Sequence, residues 1–303
     1  MTANEARNKV TSLTIIIPFL KETSTDLFEG TLVSILENRP ADAGVLVINA
    51  AEYDNRYGIS ADDGVTFVPA DSAISLIDAV NQGVQVAATP FVHPLLSGCQ
   101  VEEGWTVPAL ARFADPSVAS VIPAVRTEGA ASIFSRGLAF SPDGLLCRLT
   151  AETPIPANSI AAPFIDGAFF RRESVLSLGL FLSAFGSFAY TDTALLLNAL
   201  NQKTVFEKDS ILLYGEGVIP ELSRETWITA QEQLYQRWSD FFGSEAKRIH
   251  GSRVRREKWS AFFHGTGSLI RGAYKKGQIP LPVPSRKKIL AAAKSAPAAS
   301  EIS

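Results

Sequence analysis

The residues that could do chemistry are few and spread along the chain. Asp192 stands in Tyr190-Thr191-Asp192-Thr193, at the start of an apolar helical run. A carboxylate there can take a proton from an attacking hydroxyl, or simply favour the positive end of the helix dipole. Arg171 and Arg172 follow the apolar stretch Gly167-Ala168-Phe169-Phe170 and offer adjacent cations to a phosphate or to water. Asn49 and Asp54 bracket a short turn after a buried apolar run. Such side chains hold a base or a ribose, or close the turn by themselves. Asp166, just before Gly167, can approach an acceptor or pair with an arginine. His93 lies within an apolar strand and reads as a hydrogen-bonded core histidine. Cys99 has no sequence-near base and reads as a buried thiol. His250 and His264 form no metal spacing, and the two cysteines, Cys99 and Cys147, form neither a CxxC pattern nor a disulfide framework.

Those residues need elements to position them. "SLTIIIPFL" reads as a buried strand ended at Pro18, with Phe19 and Glu22 just beyond. "DLFEGTLVSILENR" is amphipathic and helical, with Asp26 as expected N-cap. "AGVLVINA" and "DDGVTFVPA" are further buried strands. "SAISLIDAVNQGVQVA" is a second helix, with Ser72 as expected cap, and leads to the strand "PFVHPLL". "WTVPALARFAD" is helical and "VASVIPAVR" a strand. "SRGLAFSPDGLLCRLTAETPIPANS", rich in Pro, Ser and Gly, is expected to wrap the sheet edge. A strand and helix return in "APFIDGAFFRRESVLSLGLF", and a helix capped by Thr191 starts at "TDTALLLNAL". Residues 226–246 form a last helix. Strands apolar on both faces belong to a mostly parallel sheet between helices, an α/β fold. Ligands of such sheets sit at the carboxyl ends of the strands.

Bulk composition agrees. At 303 residues, 46% hydrophobic and 19% charged, the chain can build a sizeable core. The net charge of −3 hides a split: residues 1–245 carry 15 Lys and Arg against 29 acids, and residues 246–303 carry 13 against 2. The basic end would face something acidic: the body of the protein, an anionic membrane surface, or nucleic acid. Its interleaved Trp259, Phe262, Phe263 and Tyr274 suit an interfacial segment, and a solvated helix face explains the same charges. No nucleic-acid module is visible, so no nucleic-acid partner is expected. The N-terminus lacks a signal-peptide core and no apolar run approaches the ~20 residues of a membrane helix. A cytoplasmic protein, peripheral to the membrane at most, is expected. The expected organisation is a flexible arm at 1–10, a main domain at 11–245, a basic helical extension at 246–288 and a disordered tail at 289–303.

In this order the segments resemble the family 2 glycosyltransferases, which have the GT-A fold. "LTIIIPFLKE", "VLVINAAEYD", "AVNQGVQVAATPFV", "GAFFRRESVLSLGLF" and "YTDTALLLNAL" are similar to that family's successive motifs over roughly residues 12–215. The resemblance implies an inverting transferase that uses a nucleotide-diphospho-sugar donor and an unknown sugar or lipid-linked acceptor. It implies that Asp192 is the catalytic base. Pro18, Phe19, Glu22, Asn49 and Asp54 would hold the nucleoside, and Arg171 and Arg172 the diphosphate. It also implies a divalent cation, Mn²⁺ or Mg²⁺, held by an Asp-x-Asp motif. That motif should fall at Leu96-Ser97-Gly98, where no acid stands, and the next acids are Glu102 and Glu103. Hard cations want carboxylate oxygens, so no metal ligand is assigned. A non-catalytic GT-A domain that binds a sugar, a nucleotide or a partner glycosyltransferase is the alternative.

Overall fold

The structure, a computed structural model, describes residues 13–130, 132–140, 146–155, 159–215 and 223–238. The expected arm, basic extension and tail lie outside the described residues, as does the end of the expected last helix.

The first strand, β1 (Leu13–Phe19), is buried along its whole length. Helix α1 (Thr25–Asn38) returns the chain to β2 (Gly44–Asn49), and β3 (Val65–Pro69) follows. Helix α2 (Leu76–Val86) then crosses back to β4 (Phe91–Pro94) on the other side of β1. These four strands are parallel, in the order β3-β2-β1-β4. The chain thus reverses direction across the sheet between β1 and β4, which opens a crevice at their carboxyl ends. The strands β5 (Cys99–Val101) and β6 (Val118–Thr127) follow, with α3 (Thr106–Arg112) between them.

The second half of the sheet is mixed. β11 (Phe169–Arg171) runs antiparallel to β4 and β6, while β12 (Lys203–Tyr214) is parallel to β6 and antiparallel to β5. The segment expected only to wrap the edge holds β8 (Leu138–Phe140) and β9 (Leu146–Arg148), which with β10 (Ile160–Ala162), just after it, form a separate antiparallel sheet. Just before it, β7 (Ile133–Ser135) pairs with β6. Strands of three residues carry too little alternation to be told from turns. The remaining helices are α4 (Arg172–Ser177), α5 (Ala189–Ala199) and α6 (Arg224–Trp238).

Two apolar layers flank the sheet. Ile15, Ile17 and Phe19 face Phe28, Leu32 and Ile35 of α1, Ala109 of α3 and Trp105 just before it. Ile16 faces the other layer, with Val80 and Val84 of α2, Ala194 and Leu195 of α5 and Leu234 of α6. Each such fully buried side chain contributes about 1.5–3 kcal/mol. Gly83 allows α2 to lie close to the sheet, because a Cβ there would overlap Ile16 Cγ2. Asn81, two residues before it, donates to Phe181 O at 2.8 Å and accepts from Phe181 N at 3.0 Å. The Asn-x-Gly of the sequence is therefore a packing and docking device.

Three expected caps are corrected. Ser24, not Asp26, caps α1, and Ser75, not Ser72, caps α2. Thr191 lies inside the first turn of α5 and donates to Pro163 O at 3.0 Å, which ties the helix start to the segment entering β11. In all three cases several hydroxyls or acids stood within one turn, and the tertiary docking selected among them.

Candidate functional site

The carboxyl edge at β1 and β2 gathers the five residues expected to hold the nucleoside. Phe19 pairs with Asn49 in the ladder, and Pro18 with Ile48. Ala50 N donates to Phe19 O at 2.9 Å, so the two strand ends stay joined. Pro18 is buried and holds the strand end. After Phe19 the chain turns sharply, with Thr23 N bonded to Leu20 O at 2.9 Å, and Glu22 is exposed on that turn. Asn49 Oδ1 accepts from Tyr53 N at 3.0 Å, so its carbonyl oxygen closes the turn. Its amide nitrogen has no partner among the described residues. Asp54 is exposed one residue beyond Tyr53.

The 49–57 loop is pinned from below. Tyr53 packs edge-on to Phe19 and Phe28 and stacks on Phe67, with centroids at 5.4, 4.9 and 5.8 Å. Its hydroxyl donates to Glu29 Oε1 at 3.0 Å, and Arg56 forms an ion pair with the same carboxylate. The hydrogen bond from Arg56 holds the Glu29 carboxyl below its usual range, and burial first, then Glu29, raises the Tyr53 phenol to about 12. Glu52 sits at φ 52°, a left-handed conformation costly for a non-glycine residue. The aromatic base and the ion pair keep the loop in that shape.

The turn after β4 is where a metal clamp was expected. Leu95 N continues the β1 pairing by bonding Ile16 O at 2.9 Å, and Gly98 N donates to Thr31 Oγ1 at 2.8 Å. The turn is thus bolted to α1. Leu96 and Gly98 have no side-chain oxygen, and the described residues contain no group of three or more His, Cys, Asp or Glu fit to hold a metal. These residues do not fit a divalent cation. Glu102 and Glu103 are exposed beyond β5.

Beside this turn lies a buried polar cluster. Tyr214 pairs with Cys99, and its hydroxyl donates to Asp166 O at 2.8 Å. Asp166 is 1% exposed, and its Oδ2 has no hydrogen-bond partner among the described residues. Burial pushes its carboxyl up to about 6, against the opposing charge of Arg148 and a hydrogen bond from Ser135. Burial likewise raises the Cys99 thiol to about 12, which makes it inert. Deeper in the sheet, His93 stacks on Phe169 at 3.6 Å between centroids, with Nδ1 2.8 Å from Ala168 O. Burial drives its pKa down to about 3, so it is a neutral core histidine.

Arg171 and Arg172 are placed elsewhere. β11 runs against β4, so Arg171 is level with Phe91 and Leu13 at the amino-terminal edge. At about 3.3 Å per residue, that edge is roughly 20 Å from the donor edge. Arg171 donates to Phe113 O and Val118 O, and Arg172 to Val84 O and Gln85 O. The structure does not bring either arginine to the donor residues, because the strand that precedes them is antiparallel.

Asp192 is 3% exposed under the last turn of α6. Trp238 Nε1 donates to its Oδ1 at 2.7 Å, and Arg237 Nε lies 2.8 Å from the same oxygen. The Arg237 contact is an ion pair rather than a directed bond, since Nε meets no hydrogen-bond geometry among the described residues. Burial raises the Asp192 carboxyl above its ordinary value, and Arg237 and Trp238 counter it. Arg237 also lies over the ring of Phe185, at 5.7 Å from its centroid. Phe185 lines a cleft of about 440 Å³ between residues 183–188 and α6, rimmed by Glu225, Thr226, Thr229 and Gln233.

No protein-family model matches the chain, and no curated protein matches it in sequence. Solved structures match it in fold. A structure of GalNAc-T7 with UDP, GalNAc and Mn²⁺ superposes with a TM-score of 0.56 at 15% identity. The match covers 91% of this chain and 59% of that one, so the chain spans less than two thirds of its length. The mannosyltransferase PcManGT from Pyrobaculum calidifontis, in complex with GDP-Man and Mn²⁺, gives 0.55 at 18% identity, over 92% of this chain and 78% of that one. TarS of S. aureus with UDP gives 0.53 at 14% identity, over 88% and 76%. The chain has the GT-A fold.

Proposed function

We propose that the protein is a glycosyltransferase of the inverting kind, which binds a nucleotide-diphospho-sugar at the crevice between β1 and β4. The observation that carries this reading is the convergence of Phe19, Glu22, Asn49 and Asp54 on the carboxyl edge at the switch in strand order. The sites of such sheets lie there, and the fold neighbours include proteins solved with UDP or GDP-Man. Asn49 Nδ2 and the acids of the two turns supply donors and acceptors for a base and ribose.

In an inverting transfer the acceptor oxygen attacks the anomeric carbon as the nucleoside diphosphate leaves with the bonding electrons. A base takes the acceptor proton in the same step. Asp192 is the carboxylate next to the cleft lined by Phe185, where an acceptor hydroxyl would enter. It serves only when the end of α6 withdraws Trp238 and Arg237 from it. A basic segment at 246–288 would hold such a domain against an anionic membrane carrying a lipid-linked acceptor, a part that rests on the charge pattern alone.

The second reading is a non-catalytic GT-A domain that binds a nucleotide, a sugar or a partner glycosyltransferase. Its specific support is the same buried pairing, which makes Asp192 a structural anchor for α6. Calorimetric titration with UDP and GDP, with and without Mn²⁺, tests donor binding. Nucleotide release from UDP- and GDP-sugars by the wild type and by Asp192→Asn separates the readings. Release lost in the variant supports transfer; binding without release in either protein supports the non-catalytic domain.

A further inference from the structure

We propose that the cleft between residues 183–188 and α6 holds the acceptor as a short, uncharged saccharide, its attacking end toward Asp192. The proposal rests on the transferase reading and adds the chemical class of the acceptor.

The two walls of the cleft differ in make. One is the turn at 184–188, which brings Phe185 and Phe188 to the cleft. Phe188 is held from behind by Trp227, with ring centroids 5.1 Å apart, and Phe164 packs edge-on to both at 5.5 and 6.4 Å. Gly186, at the middle of the turn, takes φ 49° and ψ −124°, a conformation that glycine alone adopts readily. A Cβ there would meet no atom within 4 Å, so the turn presents bare backbone to open space.

The other wall is α6. Glu225, Thr229 and Gln233 line the cleft and recur every four residues, which places them on one helix face. At about 1.5 Å per residue, Glu225 to Gln233 spans about 12 Å of helix axis. The next step of four along that face is Arg237. Its guanidinium lies over Phe185 at 5.7 Å from the ring centroid, and its Nε is 2.8 Å from Asp192 Oδ1. The stripe thus runs along the cleft toward Asp192, and Phe185 touches both.

These groups suit a sugar. The side chains of Glu225, Thr229 and Gln233 make no hydrogen bond or ion pair among the described residues. A carboxylate, a hydroxyl and an amide are therefore free to meet ligand hydroxyls as acceptors and donors. Set against the apolar lining of Phe185, Phe188 and Ala230, they make a concave site with a few convergent polar groups, and its volume of about 440 Å³ lies in the range of small-molecule sites. The stripe is longer than one pyranose ring and takes two linked units. Charge then narrows the class. Glu225 is the only ionisable side chain that lines the cleft among the described residues, and Arg237 is engaged by Asp192. A phosphate or a sugar acid would meet a carboxylate and no free cation, whereas a neutral saccharide leaves no charge unpaired in the cleft.

The test is saturation-transfer NMR on the full chain with cellobiose, maltose and diacetylchitobiose as neutral probes, and glucuronic acid and glucosamine as charged ones. Expected is binding of at least one neutral disaccharide and none of glucuronic acid. Binding should vanish in Thr229→Tyr, which fills the cleft, and stay unchanged in Gln236→Ala, exposed on α6 outside it. Gln233→Ala removes one hydrogen-bonding amide and should weaken binding by about 3- to 10-fold; thermal unfolding checks that every variant stays folded. Glucuronic acid or glucosamine bound in preference to the neutral probes overturns the class. No probe bound, or binding equal in wild type and folded Thr229→Tyr, overturns the cleft. Nucleotide release from UDP- and GDP-sugars by the same proteins separates this from the transferase reading. Release without saccharide binding leaves that reading standing and overturns the cleft. Saccharide binding that Thr229→Tyr abolishes, with no release from any donor, keeps the saccharide cleft and overturns the transferase reading.

Discussion

Asp192→Asn probes both the stability and the chemistry of the buried pairing. Asparagine keeps the shape and an oxygen that still accepts from Trp238 Nε1, so the 2.7 Å bond survives in weaker, neutral form. What is lost is the charge opposite Arg237, whose side chain is 8% exposed. Removing one partner of a buried pair costs about 3–5 kcal/mol, because the other charge stays buried alone. The carboxylate's own desolvation is removed at the same time, and the raised folded pKa means that it outweighs the attraction of Arg237 and the bond from Trp238. At pH 7 Asp192→Asn should therefore be at least as stable as the wild type. The sign with pH is fixed by the raised folded pKa. Protonation of wild-type Asp192 is favoured in the fold, so stability from this group grows as pH falls through that pKa. The wild type then carries a neutral carboxyl too, and the gap between wild type and Asn shrinks in acid. Thermal unfolding by circular dichroism at pH 7 and at acid pH reads both effects. A variant about 2 kcal/mol or more less stable than the wild type at pH 7 would refute the raised pKa and show that the ion pair outweighs desolvation. If Asp192 is also the base, nucleotide release falls by about 10²–10⁴ in a variant that remains folded. Release at the wild-type rate refutes that role.

Asn81→Ala orphans the backbone N–H and C=O of Phe181, so stability should fall by about 2–4 kcal/mol in urea unfolding with UDP affinity unchanged; a loss of nucleotide affinity in the folded variant would make the Asn-x-Gly a binding motif after all. His93 and Asp166 oppose each other between pH 4 and 6. With a folded pKa of about 3, His93 loses its contribution as pH falls below 6.5, whereas Asp166, at about 6 in the fold, loses its own as pH rises from 3.8 through 6. Asp166→Asn should therefore gain stability with pH more steeply than the wild type, by about 1.4 kcal/mol per unit in that window; equal slopes would show that Asp166 is ionised like a surface acid. A maleimide at pH 7 should label Cys147 before Cys99, whose thiol is buried and held near 12. Rapid labelling of Cys99 in the native protein would mean that the Leu96–Gly98 turn opens.

Local sequence determined the long elements. Apolar runs such as Leu13–Phe19 and the periodicity of α1 and α2 carry enough residues to state their period, and they place Phe19, Asn49 and Asp54 on one edge without further information. The missing acids at Leu96–Gly98 were legible too, since side-chain type is visible before any fold. Strand direction was not. Whether Phe169–Arg171 runs with or against β4 depends on partners about 50 to 80 residues away, and that choice put Arg171 and Arg172 at the edge opposite Phe19 and Asn49. The short strands β7 to β10 exist through pairing rather than propensity, and they bring Arg148 and Ser135 beside Asp166. Asp192 and Trp238 are 46 residues apart and meet only when α6 folds over the sheet. Residue type and period act over one or two turns of chain. Burial, ion pairing and pKa are set by what long-range packing places within a few ångströms, and only the tertiary structure decides that.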